Sequence, residues 1–230
     1  MPIALITGAS RGLGRATAAA LAGRGWRLVA DARRADDLAA ATGGFADVIA
    51  IPGDVTDSAH RARLAEAIGQ FGRLDLLVNN ASRLGPSPLP PLREHPLDEL
   101  RLVYEANVVA PLALVQLLSG PLAVAGGTIV NVSSDAATEA YPGWGGYGSA
   151  KAALDQLTAV LGVEEPAVRC YAFDPGDMRT DMHQLAFPGE DISDRPEPAS
   201  VVPALLRLID ERPPGGRYRA SDLVVPTVAS

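Results

Sequence analysis

The sequence predicts a doubly wound α/β fold: a parallel sheet with helices on both faces, in one domain over residues 1–230. Three observations carry this. Short, continuous apolar runs read as strands buried on both faces. They alternate with longer helical patterns from end to end. No linker or composition break divides the chain.

The elements follow in order. "IALIT" (3–7) is a first strand, and a helix runs from Leu13 to about Arg24. "RLVADA" (27–32) is a second strand, and "DVIAIPGDV" holds a third that ends near Pro52. Residues 58–71 form a helix, and "LDLLVNNA" a fourth strand. A helix runs from Leu97 to Leu118, followed by a fifth strand in "GTIVNVSS". Tyr147 to Leu161 is helical, "VRCYAFDPG" is a sixth strand, and 198–210 make a last helix. "GRYRAS" is read as an edge strand. Two long loops remain, 82–96 and 183–198. Both follow strands at the carboxyl end of the sheet, where such folds bind ligands.

Composition narrows the function classes. Charged residues make up 20% and hydrophobic residues 47%, too apolar for a disordered chain. The net charge is −7 and the arginines are scattered, so no nucleic-acid partner is expected. Cys170 is the only cysteine, which excludes an intrachain disulfide and a cysteine metal cluster. His60, His95 and His183 are too dispersed to suggest a metal site. "MPIALITGAS" lacks a signal-peptide pattern, and prolines and glycines break the most apolar segment, "APLALVQLLSGPLAVAGG". No membrane span and a cytoplasmic location are therefore expected.

"TGASRGLG" (7–14) joins the first strand to the first helix, with Gly8, Gly12 and Gly14 spaced G-x-x-x-G-x-G. Glycine permits a sharp turn and close approach of a pyrophosphate, and the helix start adds free N–H groups. The spacing differs from the common G-x-G-x-x-G. The second strand ends in "DARRADD", where a dinucleotide site reads the ribose 2′ position. An acid there accepts from a hydroxyl, and arginine favours a 2′-phosphate, so Asp31 and Arg33 compete for the role. A charged helix start is the plainer reading.

Seven motifs in order resemble the short-chain dehydrogenase/reductase family. They are "TGASRGLG", "GDV" (53–55), "NNA" (79–81), Asn107, "VNVSS" ending at Ser134, "YGSAK" (147–151) and "DPGDMRTDM" (174–182). The resemblance covers roughly residues 3–182 and implies a Rossmann-like sheet, NAD(P) and carbonyl/alcohol redox chemistry. Its substrate would be a small carbonyl or alcohol.

The physics under the catalytic matches is simple. Hydride arriving at a carbonyl carbon leaves charge on oxygen, which needs a proton and hydrogen-bond donors. Tyr147 can give the proton, and Ser134, thirteen residues upstream, can bond the oxygen. A free phenol titrates near pH ~10. Lys151, one helical turn on, together with the nicotinamide charge, is expected to lower it. In the family this lysine also holds ribose hydroxyls. Pro111 lacks an N–H, so the carbonyl of Asn107 loses its helical partner. In the family that carbonyl holds a water in the proton path, whereas a plain proline kink is the alternative.

The resemblance assigns a cofactor set of Gly8, Ser10, Arg11, Gly12, Leu13, Gly14, Arg33, Asp54, Val55, Asn80, Tyr147, Lys151, Pro175, Gly176, Met178 and Thr180. Asp54 would meet the adenine amino group, and Asn80 would support the sheet centre. Pro175, Gly176, Met178 and Thr180 would pack on the nicotinamide, with Thr180 bonding the carboxamide or a phosphate. Ala32 falls where NAD-specific members carry Asp, and Arg33 where NADP-specific members carry a base. Arg11 adds a base nearby, so NADP(H) is expected over NAD(H). Ser82 replaces the glycine of the family's "NNAG", and the tail departs from the usual pattern.

A homodimer or homotetramer is expected by resemblance, through the faces of Leu100, Val103, Leu112 and Leu118 and of Leu154, Leu157 and Leu161. Alternatively those faces only pack on the sheet. Leu84, Tyr141, Trp144, Leu185 and Phe187 are expected to make an apolar substrate pocket. Two other functions fit the same fold: a nucleotide-binding regulatory protein without turnover, or an epimerase.

Overall fold

The computed structural model describes residues 1–223. Seven parallel strands form one sheet in the order β3-β2-β1-β4-β5-β6-β7. They are β1 Ile3–Ile6, β2 Arg27–Ala32, β3 Val48–Pro52, β4 Leu76–Asn79, β5 Thr128–Val132, β6 Arg169–Asp174 and β7 Gly216–Arg219. The order reverses between β1 and β4, so a crevice opens there at the carboxyl ends of the strands.

Apolar runs become strands here because helices cover both faces. On one face α1 (Gly12–Gly23) and α8 (Pro198–Glu211) pack Leu13, Leu21, Leu205 and Leu208 against Ile6, Leu28 and Val130. On the other, α3 (Ser58–Gly69) and α5 (Ala110–Ala125) pack Leu64, Ile68, Leu114 and Leu118 against Leu5, Leu77 and Ile129. Each such side chain taken fully from water contributes about 1.5–3 kcal/mol.

Three elements differ from the sequence expectation. The charged helix start read in "DARRADD" becomes a full helix, α2 (Ala35–Thr42), after β2, with Asp36 and Asp37 in its first turn, where the helix dipole favours acids. Both candidate readings of "DARRADD" therefore meet at one place. The long loop 183–198 begins inside a short helix, α7 (Asp181–Ala186), whose N-cap is the Thr180 hydroxyl accepting from His183 N–H. The helix expected over 97–118 runs instead from Leu97 to Ala125, as α4 (Leu97–Tyr104), a π-turn (Glu105–Val109) and α5.

That rod is long and apolar enough to cross a membrane by length and composition, contrary to the expectation that prolines and glycines would interrupt it. Pro111 lies in the first turn of α5, where a missing N–H costs little, and the π-turn absorbs the register change. The rod is a layer of the sandwich, against α3 and α6 (Gly145–Glu164). Val103, Leu118 and Leu154, expected on intersubunit faces, are buried in the protein's own interior. The exposed apolar side chains of these helices are others, among them Leu97, Leu117, Val124 and Val163.

Candidate active site

A cleft of about 900 Å³ occupies the switch-point crevice. Its floor is the turn from β1 into α1. Gly8 has φ +67°, which only glycine adopts freely, and any Cβ on Gly14 would overlap the Gly8 carbonyl and the Asn80 amide. The turn is pinned from two sides. Asn80 Nδ2 donates to the carbonyls of Thr7 (2.9 Å) and Gly8 (3.2 Å), and Gly8 N–H donates to Asp31 Oδ1 (3.0 Å). No side chain caps the first turn of α1. A turn with glycine at positions 8, 12 and 14, ending in free helix N–H groups, fits a dinucleotide pyrophosphate.

Asp31 does not face that cleft as a free acceptor. It is 1% exposed, and its Oδ2 lies 2.7 Å from His60 Nε2. Arg63, which can only donate, lies 2.9 Å from Nδ1, so Nε2 carries the hydrogen given to Asp31. Burial raises the Asp31 carboxyl above its ordinary range, against the bonds from His60 and Gly8 that lower it. The Cβ-free Gly53 makes room for the His60 ring. Sequence reasoning set His60 aside, and only proximity across twenty-nine residues reveals it.

Arg33, Arg34 and Asp54 line the adjoining end of the cleft. Burial raises the Asp54 carboxyl, but bonds from Thr56 N–H (2.9 Å) and Oγ1 (2.8 Å) and the charge of Arg33 outweigh it and hold it low. Ser10, Leu13, Val55, Pro175, Gly176, Met178 and Thr180 also line the cleft. Two expectations shift. Arg11 reaches across the mouth to Asp181 (2.8 Å), away from Arg33. The Thr180 hydroxyl serves as the cap of α7.

At the other end stand Ser134, Tyr147 and Lys151. β5 ends at Val132, so Ser134 projects from the turn beyond it, where its hydroxyl donates to Asp135 Oδ1 (3.0 Å). Tyr147 and Lys151 lie one turn apart on α6. The start of α6 approaches its neighbours closely: a Cβ on Gly148 would lie 2.5 Å from the Ala136 carbonyl, and one on Gly146 would meet the His95 ring.

Lys151 is buried and donates to the Val132 carbonyl (2.7 Å), with Nζ 5.5 Å from the Tyr147 ring centre. Burial lowers its ammonium to about 8, with Asp155 opposing. Burial pushes the Tyr147 phenol up to about 12, the Ser82 hydroxyl offsets part of this, and Asp174 and Asp135 add to it. The lowering expected from Lys151 and the nicotinamide charge has this burial to overcome.

Asn107 is fully buried and its side chain makes three hydrogen bonds. Its Oδ1 accepts from Ser82 Oγ (2.9 Å) and Arg83 N–H (3.0 Å), and its Nδ2 donates to the Arg83 carbonyl (2.8 Å). The π-turn passes Asn107, with Ala110 N–H bonded to the Glu105 carbonyl.

Leu84, Trp144 and Leu185 line the cleft near Tyr147, whereas Phe187 lies behind that lining, tilted against Trp144 (5.9 Å). Tyr141 is outside it, bonded to Glu139 (2.8 Å) and Asp135 (3.1 Å). Met182 and His183 take part instead.

The family model described as short chain dehydrogenase matches residues 2–191. The chain belongs to this family. Among curated relatives, sepiapterin reductase of Rattus norvegicus is 35% identical over 80% of this chain and 77% of its own. A short chain dehydrogenase from Pseudomonas syringae superposes with TM-score 0.89 at 31% identity, covering 95% of this chain and 94% of that one. An alcohol dehydrogenase from Thermococcus sibiricus, solved in complex with 5-hydroxy-NADP, gives TM-score 0.83 at 26% identity over 95% of each chain. As a short-chain dehydrogenase/reductase, the chain is an oxidoreductase of a nicotinamide-using family, with the family's Rossmann-like sheet.

Proposed function

We propose that this dehydrogenase prefers NADP(H) and moves a hydride between nicotinamide and a ketone or secondary alcohol of hydrophobic or aromatic character. One observation carries the reading: Ser134 and Tyr147 open into the same cleft as the glycine cradle. When bound, the dinucleotide supplies or accepts the hydride. In reduction, Ser134 donates a hydrogen bond to the substrate oxygen, and Tyr147 gives it a proton as charge develops there. In oxidation, Tyr147 takes the proton back. Its high position without help keeps the phenol protonated, so forming phenolate needs added positive charge beside it. Lys151 contributes to that charge and is placed to hold ribose hydroxyls. The Asn107 carbonyl is proposed to hold a water that reloads Lys151.

The NADP(H) preference is supported by Asp31, whose two carboxylate oxygens are engaged inside the protein, and by Arg33 at the cleft. The neighbour solved with 5-hydroxy-NADP is of the same fold. Trp144, Leu84 and Leu185 support an apolar substrate. A homodimer or homotetramer, part of the same proposal, is supported by the exposed Leu117, Val124 and Val163. Steady-state kinetics on Arg33→Ala test the cofactor: the KM for NADPH rises about tenfold or more, and that for NADH stays within about twofold. Equal effects on both overturn the preference.

A further inference from the structure

We infer that Arg217, on the edge strand β7, is a positioning residue for the proton-transfer site, anchoring the Ser134 turn and neutralising the carboxylates behind Tyr147 and Lys151. The inference rests on the proposed roles of Ser134, Tyr147 and Lys151. One guanidinium makes three bonds. Nη2 donates to the Ser134 carbonyl (2.9 Å) and to Asp174 Oδ2 (2.9 Å), and Nε donates to Asp155 Oδ2 (3.0 Å). These partners lie on three elements: the turn after β5, the end of β6, and α6 one turn beyond Lys151. The side chains are shielded, at 23% exposure for Arg217, 15% for Asp155 and 4% for Asp174. Only a planar fork of donors reaches all three, which a lysine cannot reproduce.

Strand alternation explains the placement. Arg217 and Arg219 share one face of β7, and Arg219 lies 3.8 Å from Asp174 while bonding Glu139 (2.9 Å). Tyr218 faces the other way and packs edge-on to Tyr171. The two arginines meet the candidate site, and the tyrosine meets the core.

The charge balance gives the arrangement its consequence. Tyr147 is faced by Asp135 from the turn after β5 and by Asp174 from β6, which oppose phenolate, and by the Ser82 hydroxyl from the loop after β4, which favours it. Lys151 lies below its ring. Asp174 in turn is held by Arg217, by Arg219 and by Gly176 N–H (3.0 Å). Asp155 supports the Lys151 ammonium and is held by Arg217. Without Arg217 the Asp174 charge acts on Tyr147 with only the more distant Arg219 (3.8 Å) and Gly176 N–H to offset it, and the Ser134 turn loses its carbonyl anchor. Forming phenolate then becomes harder and the oxyanion donor less well held.

The test is the pH profile of kcat/KM for oxidation of a panel of aromatic secondary alcohols, including 1-phenylethanol, with NADP⁺. In Arg217→Gln the rising limb moves to higher pH by about 0.5–1, and kcat falls about tenfold. The KM for NADP⁺ stays within about twofold, since Arg217 bonds none of the proposed cofactor residues directly. Arg217→Lys recovers part of the limb position. The double variant Asp174→Asn/Arg217→Gln returns the limb to its wild-type position while kcat stays low. It also removes Asp174, the more deeply buried of the two carboxylates that Arg217 holds, so it serves if the single variant does not fold. A wild-type profile and kcat in Arg217→Gln, or a limb still displaced in the double variant, overturns the inference. Tyr147→Phe runs alongside: turnover retained there overturns the catalytic reading itself, whereas Tyr147→Phe inactive with Arg217→Gln unchanged overturns only the role of Arg217.

Discussion

His60→Ala tests the buried pair that pins the glycine turn. Asp31 and His60 are each 1% exposed, and Asp31 has two side-chain partners, His60 at 2.7 Å and Gly8 N–H at 3.0 Å. Removing the imidazole strands a desolvated carboxylate on one backbone N–H. Breaking a buried pair from one side costs about 3–5 kcal/mol. The cost depends on pH, and its sign is set by Asp31. Burial already raises that carboxyl above its ordinary range in the folded protein. A raised carboxyl contributes most to stability below its unfolded pKa, and that contribution is lost as pH rises through the folded value. Losing His60 removes the bond that lowers it, so the folded value climbs further. The variant is therefore penalised more at about pH 8 than at about pH 5, by roughly 1 kcal/mol or more. Urea unfolding of wild type and variant at both pH values measures this. A penalty under about 1 kcal/mol at the higher pH, or one equal at both, refutes the reasoning. His60→Gln, which keeps a donor for Asp31, lies between the two proteins.

Three further outcomes follow from close contacts. Gly14→Ala drives a Cβ into the Gly8 carbonyl and the Asn80 amide, so NADPH affinity, read by fluorescence titration, falls about tenfold or more. Asn107→Ala leaves Arg83 N–H, the Arg83 carbonyl and Ser82 Oγ without that partner, and urea unfolding shows a loss of about 2–3 kcal/mol. Asn107→Asp keeps the acceptor and loses the donor, so it does not restore full stability. Gly148→Ala presses on the Ala136 carbonyl and shifts the start of the Tyr147 helix; kcat falls while the KM for NADPH changes little.

The sheet, the glycine turn and the Tyr147–Lys151 pair were legible in the chain because each rests on local order. A strand between helix layers must be apolar throughout, a tight strand-to-helix turn must tolerate φ above zero, and one helical turn puts residues four apart on one face. Those rules need no neighbour from elsewhere in the chain. The extent of the rod from Leu97 to Ala125 was less legible, because the π-turn that carries the helix past Pro111 has no composition signal.

What the folded arrangement alone decided concerns pairs distant in sequence. Asp31 and Arg33 competed in the sequence as readers of the ribose; the fold brings His60 and Gly8 N–H to the two Asp31 oxygens. The bond from Lys151 to the Val132 carbonyl, and the burial that with Asp174 and Asp135 holds the Tyr147 phenol high, come from elements distant in the chain. Gly146 and Gly148, on either side of Tyr147, let α6 close onto His95 and Ala136. Arg217 met Ser134 from eighty-three residues away. Periodicity is a property of the chain, whereas desolvation and charge pairing are properties of whatever the fold brings within a few ångströms.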